Sequence, residues 1–167
     1  MKTKAPNIKR LKELLDYDPL TGRVTTKKGR LLVPDDDGLV VVFDNLAVKR
    51  SVRYKLDRIA YALAFNKYPT VEQKVLHKNL DPTDNSMKNL TVVAKLTYRL
   101  INEARRNIEG GIKITPHPTD QFCYVLSWYS NNKEVQKTIS DIGVARLEQL
   151  KLQLKYSKIL TRHCVFD

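Results

Sequence analysis

The sequence predicts an α+β chain: a strand-rich N-terminal lobe leading into a compact ββα-type motif, followed by a small three-stranded sheet plus one helix. Three observations carry this. Short β-branched runs such as Leu39 to Phe43 lie between Asp, Asn and Gly turns. Helical apolar spacing is confined to a few segments. Paired glycines in "RRNIEGG" break the chain into residues 1–108 and 109–167.

Taken in order, the first element is a short helix capped by Asn7, with Ile8, Leu11, Leu14 and Leu15 on one face. It ends at "DYDPLTGRV", where Pro19 cannot continue a helix and Thr21-Gly22 supplies a turn. Val24 to Thr26 reads as a strand, followed by the basic "KKGR". Leu39 to Phe43 is a second strand and Asp44-Asn45 a tight turn. Val48, Val52 and Tyr54 then alternate with basic residues. A helix returns from Asp57 to Asn66 on the stripe Ile59, Ala60, Leu63 and Ala64.

Val75 and Leu76 suggest a strand that delivers His77. "NLDPTDNSMKN" is turn chemistry, and from Leu90 the pattern reads as helical through about Arg106. Beyond the glycines, Gly111 to Thr115, Gln121 to Tyr129 and Glu134 to Ile139 read as strands, the last two joined by the hairpin "SNNK". A long helix from about Asp141 to Leu160 closes the chain, with Ile142, Leu147, Leu150 and Leu154 as its apolar stripe.

Charge narrows the function. The 167 residues hold 30 Lys and Arg against 18 Asp and Glu, a formal +12, which favours a polyanionic partner with nucleic acid first. No apolar run approaches the roughly 18 residues that span a bilayer, and "MKTKAPNIKRLKELL" has neither an apolar signal region nor a cleavage site, so a cytoplasmic protein is expected. Cys123 and Cys164 have no zinc-ligand spacing around them.

His77 is the chemical focus. Phosphodiester hydrolysis needs an activated water and stabilisation of charge on the phosphate, usually by a divalent cation. A histidine can act as the base at neutral pH if its other nitrogen is held. Asn79, Asp81, Asp84, Asn85 and Asn89 all follow within reach. A lone histidine at the end of an apolar strand is also a common structural residue.

"VLHKNLDPTDNSMKNLTVV" resembles the HNH endonuclease motif in its phage homing-endonuclease form, "v-D/N-H-I-D-G-D-x-x-D-N-R-x-x-N-L-x-x-V-T-x-x-E-N". The resemblance implies a ββα-metal fold, with His77 as general base and Asn89 as the asparagine that positions it. Asp84-Asn85 match its turn. Upstream, "RYKLDRIAYALAFNKYP" is similar to the family's helix and keeps Arg58, with Asp57 where a histidine is usual. "LLDYDPLTGRV" resembles its lead-in. The similarity thus covers roughly residues 10 to 106.

The C-terminal third is similar to the AP2-like DNA-binding module that follows such nucleases. The resemblance implies that its sheet enters a duplex groove, with Lys113, Tyr124, Trp128, Lys133 and Lys137 as candidate contacts. The competing reading is that Phe122, Tyr124, Leu126 and Trp128 alternate onto one face and pack on the final helix.

The metal positions depart from the family. Leu76 stands where an Asp or Asn normally binds the cation, and Tyr98 stands at the last motif position, with Thr97 in place of the glutamate. Neither replacement suits Mg²⁺, which takes carboxylate, carbonyl and water oxygens. Only a displaced site using Asp81 and Asn102 would restore it. The expectation is therefore a double-stranded-DNA-binding protein that has lost metal-dependent cleavage, with no cofactor. Its candidate DNA contacts are Lys27, Lys28, Arg30, Lys49, Arg50, Arg53, Lys55, Arg58, Arg99, Arg105 and Arg106, besides the three module lysines. The alternatives are an active HNH endonuclease using Mg²⁺ or Mn²⁺, and a scaffold recruited to bind a host or phage protein.

Overall fold

A computed structural model describes residues 6–45 and 50–164, without the side chains of 43–45, 50 and 51. It is a mixed α+β chain with four α-helices and four small antiparallel sheets among those residues. Contacts divide it into two compact units between residues 95 and 96.

In the first unit, α1 (Ile8–Leu14) starts as expected, the Asn7 carboxamide accepting the amides of Lys9 and Arg10 at 2.9 and 3.4 Å. Leu15 leaves the helix to open β1 (Leu15–Tyr17), which pairs with β2 (Val24–Thr26). β3 (Leu39–Asn45) pairs with β4 (Arg50–Lys55). Asp44 and Asn45 are thus strand residues with an irregular register, not a tight turn; Val48 and Lys49 lie outside the described residues. α2 (Leu56–Phe65) follows directly and ends on Asn66 in the left-handed conformation, φ 54°. Its side chains Ile59, Ala60 and Ala62 are wholly buried against Leu11, Leu15, Val24, Val40, Val42, Tyr54, Val75 and Leu90. One apolar core thus ties the three ribbons to the helix that crosses them.

The third ribbon pairs β5 (Gln73–His77) with β6 (Leu90–Ala94), His77 opposite Leu90. Helix was expected from Leu90. Instead "LTVVA" extends along β5, because a β-branched run beside a ready strand gains ladder hydrogen bonds and cross-strand packing that a helix cannot offer it. The element order is therefore strand, loop, strand, helix.

The helix begins at the unit junction as α3 (Lys95–Arg106) and runs into a wide turn at Asn107–Gly111. It was expected to close the first domain at residue 108. Its anchors lie in the second unit: Asn107, buried to 2 %, donates to the Glu103 and Tyr129 carbonyls at 3.0 and 2.8 Å and accepts the Tyr129 amide at 2.8 Å. Glu103 accepts the Asn131 amide at 2.7 Å and the Tyr156 hydroxyl at 3.2 Å.

β7 (Lys113–Pro116), β8 (Tyr124–Ser130) and β9 (Lys133–Ile139) form the sheet in that order. Asn131 and Asn132, at φ 52° and 62°, make the hairpin turn that asparagine tolerates. α4 (Ile142–His163) starts from Asp141, whose carboxylate accepts the Val144 amide at 2.8 Å.

α4 reverses one expectation. Leu147, Leu150 and Leu154 are 53, 60 and 59 % exposed, while Ala145, Tyr156 and Leu160 are buried. Ala145 permits close approach, and Tyr156 brings a hydroxyl for which Glu103 is waiting. On the sheet, Leu126 and Ile139 are buried, Tyr124 and Trp128 half-buried, and Phe122 lies exposed ahead of the strand, so the expected four-residue packing face holds three.

Candidate functional site

His77 ends β5 and is half-buried. Of the five polar residues expected to hold it, Asn85 does so: His77 Nε2 lies 3.1 Å from Asn85 Oδ1. With Oδ1 facing the ring, the contact is a hydrogen bond in the form of His77 that carries a proton on Nε2.

The other polar residues of the loop are spent on the loop itself. Asn89, 5 % exposed, accepts the Asn79 amide at 2.9 Å and donates to the Asp84 carbonyl at 2.7 Å. It therefore shapes the turn, and both of these bonds stay within the loop. Asn79 donates to the Asp84 carboxylate at 3.0 Å and accepts the Asp81 amide at 2.9 Å. Asp81 accepts the Thr83 hydroxyl and amide at 2.7 and 2.8 Å. Thr83 accordingly holds the Asp81 carboxyl below its usual range, and Ser86 above all holds that of Asp84 down.

A second loop supports this one. Tyr17 donates to the Asn85 carbonyl at 2.9 Å, and the Met87 amide donates to the Pro19 carbonyl at 2.9 Å. Burial first, then the nearby Asp18 and Asp84, pushes the Tyr17 phenol up to about 12. Asp18 folds the turn by accepting the Leu20 amide at 2.9 Å and the Thr21 hydroxyl at 2.6 Å. Gly22 (φ 72°) lies so close that a Cβ there would overlap the Asn85 and Ser86 backbone. Between the loops is an open groove of about 400 Å³ lined by Pro19, Leu20, Met87 and Lys88. Apart from Lys88 its walls are apolar, so it presents no ligand set for a metal. In sequence the "YDPLTG" stretch read as a turn and as part of the lead-in resembling that of the HNH family; its docking on residues 85–87 had no local signal.

Leu80 adds a backbone feature. Among the described residues with left-handed φ it alone is neither glycine nor asparagine, at φ 63°. It stands three residues after His77, where the HNH motif quoted above has glycine.

The residues near His77 do not fit a divalent cation. Leu76 is a buried hydrocarbon at 3 % exposure, Asp81 and Asp84 are bonded within the loop, and no three His, Cys, Asp or Glu side chains among the described residues could hold an ion together. Tyr98 and Asn102 stand on α3.

The candidate DNA contacts separate into two sets. Arg58 is committed to the protein: its guanidinium donates to the carbonyls of Pro69, Gln73 and Thr70 at 2.6, 3.1 and 3.1 Å and stacks 5.0 Å from the Tyr68 ring centre. This is a correction to its expected role, because a fork with three carbonyl partners is holding the approach to β5. Lys27 pairs with Asp16, Arg53 with Asp35, and Arg105 with Glu109; Lys55 donates to the Asp37 carbonyl at 2.6 Å. Arg106 lies 4.8 Å above the Tyr129 ring.

Lys28 and Arg30 are exposed on the tight turn after β2, and Lys113, Lys133, Lys137 and Arg99 are exposed in the second unit. The sheet register places Lys133 and Lys137 on the face of Leu126, and Lys113 on the other, so the three lysines share no face. The Arg50 side chain is outside the described residues. Missed in sequence was a ladder on α4, Lys151, Lys155, Lys158 and Arg162, whose i, i+4, i+7, i+11 spacing was readable.

Set against known proteins, the chain matches no family model, no curated protein and no solved structure. No helix among the described residues is long and apolar enough to cross a membrane.

Proposed function

We propose that the chain is a double-stranded-DNA-binding protein of the HNH-endonuclease-like kind, with an AP2-like C-terminal module, in which metal-dependent cleavage has been lost. The observation that carries this reading is the pairing at the end of β5: a histidine held by Asn85 beside a leucine buried in the ligand position. The strand–loop–strand–helix order and the left-handed backbone at Leu80 support the ancestry. The loop retains what builds a turn and presents an imidazole, but its carboxylates, Asp81 and Asp84, are bonded within that turn and Leu76 offers no oxygen.

What remains is charge. The +12 excess, with Lys28 and Arg30 exposed in one unit and Arg99, Lys113, Lys133 and Lys137 in the other, suits neutralisation of phosphates. Each phosphate so contacted steepens the fall of log affinity with log salt by about 0.9 for B-DNA.

Binding of a short fluorescent duplex across a salt series is the direct test. A steep negative slope is expected; absence of binding near about 50 mM salt would overturn the proposal. A second reading, an active nuclease, draws on the same His77–Asn85 bond, since an imidazole fixed through one nitrogen is the form a general base takes. Plasmid cleavage in Mg²⁺ or Mn²⁺ that vanishes in His77→Ala would establish that reading instead.

A further inference from the structure

α4 has a second apolar face that its own unit does not use. Leu147, Leu150 and Leu154 are each more than half exposed, and they recur at spacings of three and four. In heptad terms they occupy a, d and a, a narrow seam of the coiled-coil kind rather than the broad apolar face of a helix that lies in a bilayer. Ser157 and Thr161 continue the seam with small polar residues.

The positions flanking the seam decide what covers it. Arg146 and Gln153 fall at g, and the half-exposed Val144, Lys151 and Lys158 at e, with Glu148, Lys155 and Arg162 at b just outside. The one acid of the helix, Glu148, lies off the seam and is paired to Lys151 at 3.0 Å. A second copy would therefore meet like charges in either direction: parallel pairing sets Arg146 against Lys151, and antiparallel pairing sets lysine against lysine. Flanking charges of this kind select partners by sign. Duplex phosphates would satisfy the cations but leave three leucines facing water.

We infer that this face of α4 docks an amphipathic helix of a partner protein that presents leucine-type residues at its seam and glutamates or aspartates beside them. The inference does not rest on DNA binding: the phosphate contacts proposed above, Lys28, Arg30, Arg99, Lys113, Lys133 and Lys137, lie outside α4, and substitution of the leucines leaves the cationic ladder of α4 in place.

The probe is a synthetic helical peptide with Leu at a and d and Glu at e and g, which repels itself, titrated against the full chain. A matched peptide with Ser at a and d is the control. The leucine peptide is expected to bind at least tenfold more tightly than its control, and Leu150→Ser with Leu154→Ser to remove that difference while duplex affinity stays the same. Both leucines are exposed, so the fold should survive, as circular dichroism can verify. Lys151→Glu with Lys158→Glu gives an independent arm: it should reject the acidic peptide and accept one with Lys at e and g. Equal binding of the leucine and serine peptides would overturn the inference. So would leucine-dependent dimerisation of the chain in sedimentation, or leucine-dependent binding to phosphatidylglycerol vesicles in place of the peptide.

Discussion

Tyr17 donates its hydroxyl to the Asn85 carbonyl across 2.9 Å, and the side chain of the same asparagine meets His77 at 3.1 Å. A strand near the start of the chain thus fixes the residue that orients the histidine. Tyr17→Phe should lower the stability of the first unit by about 0.5–1.5 kcal/mol, the net worth of one hydrogen bond, in denaturant melts. It should also weaken the preference for the Nε2–H tautomer of His77, which ¹⁵N-detected imidazole spectra report. An unchanged tautomer ratio in the variant would show that Asn85 is positioned without Tyr17.

Gly22→Ala should be far more damaging. The new Cβ would overlap the Asn85 backbone while occupying a left-handed conformation, φ 72°, so the loops must separate. A loss of at least about 3 kcal/mol is expected, within the range of severe overpacking combined with backbone strain. A variant as stable as the parent would mean that the two loops are not in contact.

Leu80→Gly should be close to neutral. A left-handed L-residue costs about 1–2 kcal/mol, but glycine's greater unfolded freedom and the loss of the half-buried leucine side chain offset that relief. A change within about 0.5 kcal/mol of the parent is expected in equilibrium unfolding, at unchanged duplex affinity.

Arg58 and the Lys28–Arg30 pair should separate cleanly. Arg58→Ala removes three carbonyl partners and a ring contact, and should cost about 2–4 kcal/mol of stability, with Arg58→Lys recovering little because an ammonium cannot reproduce the fork. Lys28→Ala and Arg30→Ala should leave stability within about 0.5 kcal/mol and each reduce the salt slope of duplex binding by about 0.9. A reduced slope with unchanged stability for Arg58→Ala would reverse its assignment.

Alkaline pH should destabilise both units. Burial, followed by nearby carboxylates, raises Tyr17 to about 12 and Tyr156 to about 12, above the ordinary value of 10.0. A phenol loses its proton to become an anion, so the folded state retains protons that the unfolded chain releases. The contribution to stability is complete below pH 10 and is lost as pH rises through about 12. Denaturant midpoints measured from pH 9 to 12 should fall along that interval. Tyr17→Phe combined with Tyr156→Phe should flatten the decline.

Several elements were legible because their signals are local. Asn7 and Asp141 cap the helices predicted for them, and Asn131-Asn132 makes the predicted hairpin. The misreadings share one cause. "LTVVA" can form a helix or a strand, and β5 alongside decides for strand. α4 carries two apolar stripes of similar strength, and a period cannot say which one the sheet will cover.

By itself, then, the sequence determined the α+β class, the caps and turns, the basic excess and the presence of a histidine before a polar loop. Each depends on residue chemistry or on neighbours within a few positions. Only the tertiary structure decided that Asn85 rather than Asn89 meets His77, that Arg58 serves carbonyls, and that Leu147, Leu150 and Leu154 face outward. The physical reason is that hydrogen-bond partners and packing faces are chosen by what arrives from elsewhere in the chain. Tyr17 reaches Asn85 across 68 positions, and Tyr156 reaches Glu103 across 53.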